Sequence, residues 1–304
     1  MGRIQLKRRL LEIKKNRISY LLLAPFFILF LFFTVIPILS AVGLSFTYFN
    51  MLEMPKFVGW ANYIRLFLDD DVFLIAIKNT LIFAFITGPI SYFACLFFAW
   101  LIIQLRGPLK TIMTFVFYIP SISGNLFVVW MYIFSGDAYG LVNNLLMRIG
   151  VLYEPIQWLT DADYTLTIVI IVQIWLSLGA SFLSFIAGFQ GIDRELYDAA
   201  AVDGVRNRFE ELTKITLPCM GPQLVFGAVM QISTSFSVGV VATQLTGFPS
   251  VDYSTHTVIT HIQDYGSLRF EMGYASAISV VLFLFIFVTN AVIRRVINRY
   301  AGQE

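Results

Sequence analysis

The chain has 304 residues, of which 58% are hydrophobic, 16% aromatic and 13% charged. About a quarter of a soluble globular protein is charged, so much of this chain's surface must face something other than water. Its net charge of +2 is too small to suggest a nucleic-acid partner, and its two cysteines, Cys95 and Cys219, form no CxxC pair and read as small buried hydrophobes.

A helix needs about 20 apolar residues to cross a hydrocarbon core of roughly 30 Å. In chain order, a basic tail at 1–17 precedes an uncharged stretch at 18–52 that contains Pro25 and Pro37. This stretch is too long for a signal-peptide core and has no small-residue cleavage site before a soluble domain. Five more uncharged stretches follow: 79–105 with Gly88-Pro89 midway, 111–136, 164–192, 215–251 opening with Pro218 and Pro222, and 272–293 between Glu271 and Arg294. The expected organisation is a basic tail at 1–17, an N-terminal span with its outer connection at 18–72, and a five-helix core at 73–304.

Lys and Arg concentrate on the cytoplasmic side of membrane proteins. With the N-terminus inside, segments 1–17, 105–110, 190–216 and 294–304 are inner and hold 7, 2, 4 and 3 basic residues. The outer side keeps five: Lys56, Arg65, Lys78, Arg148 and Arg269. Both termini and the polar segment ELYDAAAVDGVRNRFEELTKITLP at 195–218 are therefore expected in the cytoplasm.

That segment carries its own helix signals. Asp193 can cap a helix start, with Glu195 and Asp198 near its positive end, and Gly204 suits the left-handed residue that ends a helix. Leu196, Ala199, Ala200 and Asp203 share one face by helical spacing, and the alanines let another surface approach closely. After Gly204, RNRFEELTKI can form a second helix with Phe209 and Leu212 on one side. An ordinary solvated loop is the plain alternative, but long loops are usually functional or disordered, and this one has caps, a stop and an apolar stripe.

ELYDAAAVDG followed by ITLP resembles the EAA loop of binding-protein-dependent ABC import permeases. Glu195, Leu196, Ala199, Ala200, Asp203, Gly204, Ile215, Leu217 and Pro218 carry the match. Asp198 stands where the family has glutamate, and ten residues separate Gly204 from Ile215 where the family has nine. Residues 57–83, FVGWANYIRLFLDDDVFLIAIKNTLIF, and the first span are similar to the carbohydrate-type branch, through Phe57, Gly59, Asn62, Tyr63, Phe67, Phe73, Asn79 and Thr80.

The resemblance implies an all-α membrane protein of six transmembrane helices with the type I ABC importer permease fold. It lies in a bacterial cytoplasmic membrane, with its loop at 193–217 docking an ATPase. Implied partners are a second homologous permease, two ATPase subunits, an extracytoplasmic binding protein and a carbohydrate. No cofactor is expected in this chain. It lacks GxxxxGK[ST], the backbone cradle for ATP phosphates, so ATP and Mg would sit on the partner ATPase. An importer of a polyol phosphate or other polar solute is the near alternative, and a single-chain secondary carrier the distant one. The span centres hold no Asp, Glu, Lys or Arg, the usual mark of proton relays. Neither a catalytic set nor a metal site is expected: His256 and His261, without a third ligand, read as surface residues, and Asp69-Asp70-Asp71 as a solvated loop.

The solute path should lie among polar residues inside the spans. Gln173, Trp175, Ser177 and Ser181 fall in the fourth span, and Gln231, Ser233, Thr234, Ser235 and Ser237 in the fifth. The resemblance places sugar contacts on these two helices, at Leu176, Ser177 and Ala180 and near Gln231, Thr234 and Ser235. Sugars offer hydroxyls to hydrogen-bond and C–H faces to stack on aromatics, which suits Gln231 and Trp175. Close helix packing explains any single serine equally well.

Overall fold

The computed structural model of the chain describes residues 16–124 and 126–300, without the side chains of Asn298 and Tyr300. All of the expected basic tail except Asn16 and Arg17 lies outside the described residues. The first span, α1 (Arg17–Leu44), takes in Pro25, Pro37 and a π turn at Leu31–Val35. It buries no residue of its most apolar stretch and packs through its last turns against the final helix. It stops eight residues short of the uncharged stretch that predicted it. Asn62 Nδ2 takes the Ser45 and Thr47 carbonyls at 2.8 and 2.9 Å, which turns the chain into a short antiparallel pair, β1 (Thr47–Tyr48) and β2 (Lys56–Phe57).

Helix α2 (Ala61–Leu68) leads to α3 (Asp71–Ile103). Asp70 caps α3 by accepting the Phe73 N–H at 2.9 Å, so this span begins eight residues earlier than its uncharged stretch, with Lys78 on an exposed face. Next come α4 (Pro108–Ile122) and α5 (Phe127–Ile133), bent by 91° to one another, and the short α6 (Leu141–Arg148). The fourth span, Ala162–Gln190, is broken into α7 (Ala162–Leu176) and α8 (Ala180–Gln190).

Two polar helices follow, α9 (Arg194–Val202) and α10 (Arg208–Cys219). The chain then turns by 84° into α11 (Gly221–Phe236) and continues as α12 (Gly239–Thr246), α13 (Val258–Gln263) and α14 (Met272–Tyr300). Among the described residues four helices are long and apolar enough to cross a membrane, and up to six crossings result when each bent pair counts as one. The uncharged run 215–251 is thus not one continuous rod. Hydropathy reports polarity, and a turn among apolar residues leaves it unchanged.

α3 is the axis of the molecule. Its N-terminal end packs with Leu66, Tyr274 and Ile278, its middle with Ile168, Val172 and Val241, and its C-terminal end with Phe182, Phe185 and Met220. Lipid chains are as apolar as leucine, so close contact must bind these helices rather than exclusion of water. The sequence permits that contact with small residues. A side chain at Gly227 would meet the Phe185 ring at 2.4 Å, and one at Gly188 the Met220 terminus at 2.7 Å.

Candidate functional site: a polar hairpin and a broken span

The polar hairpin forms as its caps dictate. Asp193 accepts the Glu195 N–H at 3.2 Å to start α9. Gly204, at φ +91°, ends it in the left-handed region, where the Val205 N–H reaches back to the Ala200 carbonyl at 3.0 Å. Asn207 starts α10 by accepting the Glu210 N–H at 2.8 Å, while the Glu210 carboxylate accepts the Arg206 N–H at 3.1 Å. Within α10 the residues Leu212–Thr216 form a π turn. A π turn closes its hydrogen bonds from residue i to i+5 rather than i+4, and Ile215 lies within it. Tyr197 and Thr216 hydroxyls, 2.9 Å apart, pin α9 to that turn.

The outward face of the hairpin is uncovered. Glu195, Leu196, Asp198, Ala199, Asp203 and Gly204 are exposed and Ala200 is half-buried. Apolar side chains stand in the open on this most polar part of the chain, Val202 at 89% and Phe209 at 65% exposure.

The second feature is the break at Ser177–Gly179. Gln231 Nε2 donates to the Ser177 carbonyl at 3.1 Å and lies 3.4 Å from Cys95 Sγ, joining α11, α3 and the break. A side chain at Gly179 would strike Ser121 Cβ at 2.9 Å, so the end of α4 touches the same point. Trp175 is half-buried and meets Trp130 edge-on at 5.4 Å, Leu176 is half-buried, and Ala180 is exposed. The Thr234 hydroxyl donates within α11 to the Gln231 carbonyl at 3.0 Å, and buried Ser235 does so at 2.6 Å.

Of the seven expected path residues, the structure therefore joins Ser177 to Gln231 directly and keeps Trp175, Leu176 and Ala180 beside the break. Ser235 instead faces Gly88 of α3. It shares with Gln231 a cavity of about 430 Å³ between α3, α11 and α14 whose walls are nearly all apolar.

The histidine reading needs correction. His256 and His261 are 3% and 1% exposed, not surface residues, and Asp70 is buried rather than solvated. His261 Nε2 lies 3.0 Å from Asp70 Oδ2, which also accepts the Tyr274 hydroxyl at 2.7 Å. His261 Nδ1 in turn lies 3.1 Å from His256 Nε2, so the two rings bond each other as a neutral donor–acceptor pair. Burial, and then the neighbouring His261 ring, push His256 down to about 4, and burial also lowers His261. Burial alone would raise the Asp70 carboxyl, but the Tyr274 hydroxyl, the Phe73 N–H and His261 together hold it below the usual range. The sequence did carry one signal: an Asp immediately before an apolar helix is a cap, and a cap bound to a span's first turn is poorly placed to be solvated.

A bundle of bent and broken spans around a neutral polar junction, joined to an uncovered polar hairpin, defines a multi-pass membrane transport component. Residues 96–302 match the family described as "Binding-protein-dependent transport system inner membrane component", and the chain belongs to it. The "Lactose transport system permease protein LacF" of Rhizobium radiobacter is 32% identical over 293 residues, covering 94% of each chain. The "Probable ABC transporter permease protein YesP" of Bacillus subtilis (strain 168) is 31% identical over 279 residues, 90% of this chain and 88% of its own. The structure of a bacterial alginate ABC transporter, in complex with a periplasmic protein bound to alginate pentasaccharide, matches with a TM-score of 0.72. That match has 25% identity and covers 96% of this chain and 95% of the other. The chain is thus a permease with the importer fold expected from its loop.

Proposed function

We propose that this chain and a second, homologous permease form the membrane channel of an importer. Two separate ATPase subunits would bind ATP and Mg, drive it, and dock on α9 and α10. An extracytoplasmic binding protein delivers the solute, a carbohydrate. The observation that carries the docking role is the uncovered face of the hairpin, with Val202 and Phe209 bare and Gly204 at φ +91°. The mechanics follow from the contacts. α9 is pinned through Tyr197 to the π turn of α10, α10 bends into α11, and Gln231 of α11 holds the Ser177 carbonyl at the break. Movement of the hairpin under ATP-driven closure reaches the midpoint of the fourth span through this chain of contacts. The channel then opens outward to accept solute and returns to release it inward.

The carbohydrate reading rests on two supports. Relatives are named for lactose and alginate transport. The residues about the break, Trp175, Ser177, Gln231 and Thr234, are neutral hydrogen-bonding or aromatic groups, whereas a phosphate-bearing solute calls for a basic partner. Gln231→Ala and Trp175→Ala should lower uptake yet leave basal ATP hydrolysis and subunit assembly intact. One lost hydrogen bond to the solute, about 0.5–1.5 kcal/mol, corresponds to a tenfold loss at most. Removing the Trp175 ring should cost more uptake than removing either serine hydroxyl. Unchanged uptake in both variants would place the path elsewhere, and a joint fall in assembly and hydrolysis would mark these residues as helix packing.

The cytoplasmic placement of both termini and of 193–217 rests on the distribution of Lys and Arg. Cys219 is exposed, not the buried hydrophobe its apolar surroundings suggest, so in a Cys219→Ser background Asn207→Cys should resist a membrane-impermeant thiol reagent in intact cells and react after permeabilisation. Reaction from outside would reverse the topology.

A further inference from the structure

α2 turns the wrong face outward for a helix that stands in water. Its one charged residue, Arg65, reaches back over the protein body, paired with Glu271 and with its guanidinium 4.2 Å from the centre of the Tyr274 ring. Trp60, Ile64 and Leu68 point away instead, Leu68 at 77% exposure, while Leu66 is fully buried. The helix ends at Leu68, three residues before α3 begins, so it cannot stand far from the level where that span enters the membrane. The exposed apolar surface runs on from Leu68 to Leu74 of α3.

An independent element repeats the arrangement. α6 lies between α5 and α7, in the loop on the same side of the bundle. It turns Asn143 inward, fully buried and bonded to Ser135, Asp137, Ile156 and Trp158, while its one charged residue, Arg148, is exposed in the last turn, where a long basic side chain can reach up to the headgroups. Leu141 and Leu145, four residues apart and so on one face, are exposed, as is Ile149 just past the helix end.

We propose that α2 and α6 lie in the lipid headgroup layer on this side of the membrane, their apolar faces resting on acyl chains as an interfacial collar. Short amphipathic helices of low net hydrophobicity bind at the headgroup–acyl boundary through such faces. Trp and Tyr are favoured at that depth, and here Trp60 opens α2 while Tyr139 precedes α6. Each helix is tied to spans at short distance, which holds it at the surface. Turning Arg65 inward to Glu271 leaves the outward face of α2 free of charge.

Photo-crosslinking in cell membranes, with the full chain among its natural partners, tests the placement. Benzoylphenylalanine at Ile64, Leu68 or Leu145 should give light-dependent adducts to phospholipid, removable by phospholipase. The same label at Phe33 of α1, 77% exposed, serves as the reference for a lipid-facing site. Adducts to another protein at these positions would show that a partner subunit or binding protein covers the face. Failure to form any adduct, with Phe33 still labelling lipid, would show that the face stands in water. Either result overturns the proposal.

Discussion

Gly204→Val and Ala200→Trp should each impair ATPase association or solute-coupled ATP hydrolysis while the chain still inserts. Gly204 sits at φ +91° with nothing within 4 Å of where a Cβ would stand. The strain of a side chain there is therefore one of backbone conformation, roughly 1–2 kcal/mol and more for a β-branched residue. The loop can relieve it only by giving up the Val205 N–H to Ala200 carbonyl bond that closes α9. That re-aims α10 and its π turn, and with them the surface offered to the ATPase. Ala200→Trp acts without backbone strain by placing a large ring on the face that must approach closely. Weakening the docked complex by 1.4 kcal/mol is already a tenfold loss of affinity. Pull-down of the ATPase and hydrolysis by the assembled complex are the readouts. Normal stimulated hydrolysis in both variants would remove the docking role from the hairpin.

His261→Phe should be the most destabilising single change at the outer end of the molecule. It removes the ring between Asp70 and His256 and leaves a buried carboxylate with only Tyr274 and the Phe73 N–H. Removing a hydrogen-bond donor from a buried carboxylate costs about 1.5–3 kcal/mol, and the two surviving bonds keep this case within that range. Asp70→Asn keeps an acceptor for the Phe73 N–H, sets its amide N–H beside the Tyr274 hydroxyl, which can accept, and removes the buried charge, so it should cost less. The pH dependence has a definite sign. His256 titrates at about 4 in the folded protein and near 6.5 when unfolded. Between these values the unfolded chain holds a proton that the folded chain does not, so stability falls as pH drops through that window. Asp70, held below its usual range, adds a further loss once pH falls below the unfolded carboxylate value. Thermal unfolding in detergent from pH 8 to 4 should show this decline, and His256→Gln should flatten its upper part. A wild-type profile without slope between pH 6.5 and 4 would mean that these histidines are not held neutral by burial.

The hairpin was legible in the sequence almost residue by residue. Its signals are local: Asp193 before an amphipathic turn, Gly204 where the backbone must turn left-handed, and paired alanines on one face. Each is read by physical chemistry within a few residues of itself. The interruptions inside the spans were not legible. The bend between Ile122 and Phe127, the break at Ser177–Gly179 and the turn at Met220 all occur among uncharged residues. At the break the Ser177 carbonyl is held by a partner far away in the chain, Gln231, which no local reading of the fourth span reveals. Nor could spacing show that His256 and His261 meet Asp70, almost 200 residues earlier, since only the packing of α13 against α3 and α14 brings them together. The π turn at Leu212–Thr216 was not legible either, since no residue of LTKIT marks the change from α to π spacing.

Uptake by the purified complex in sealed vesicles distinguishes an ATP-driven importer from a carrier that works alone. This chain would be reconstituted with its companion permease and ATPase, with binding protein and labelled carbohydrate on one side and ATP on the other. We expect accumulation that requires both ATP and binding protein, stops with vanadate, and is indifferent to an imposed proton gradient. Accumulation by this chain without the ATPase, driven by a proton gradient and unaffected by vanadate, would contradict the account.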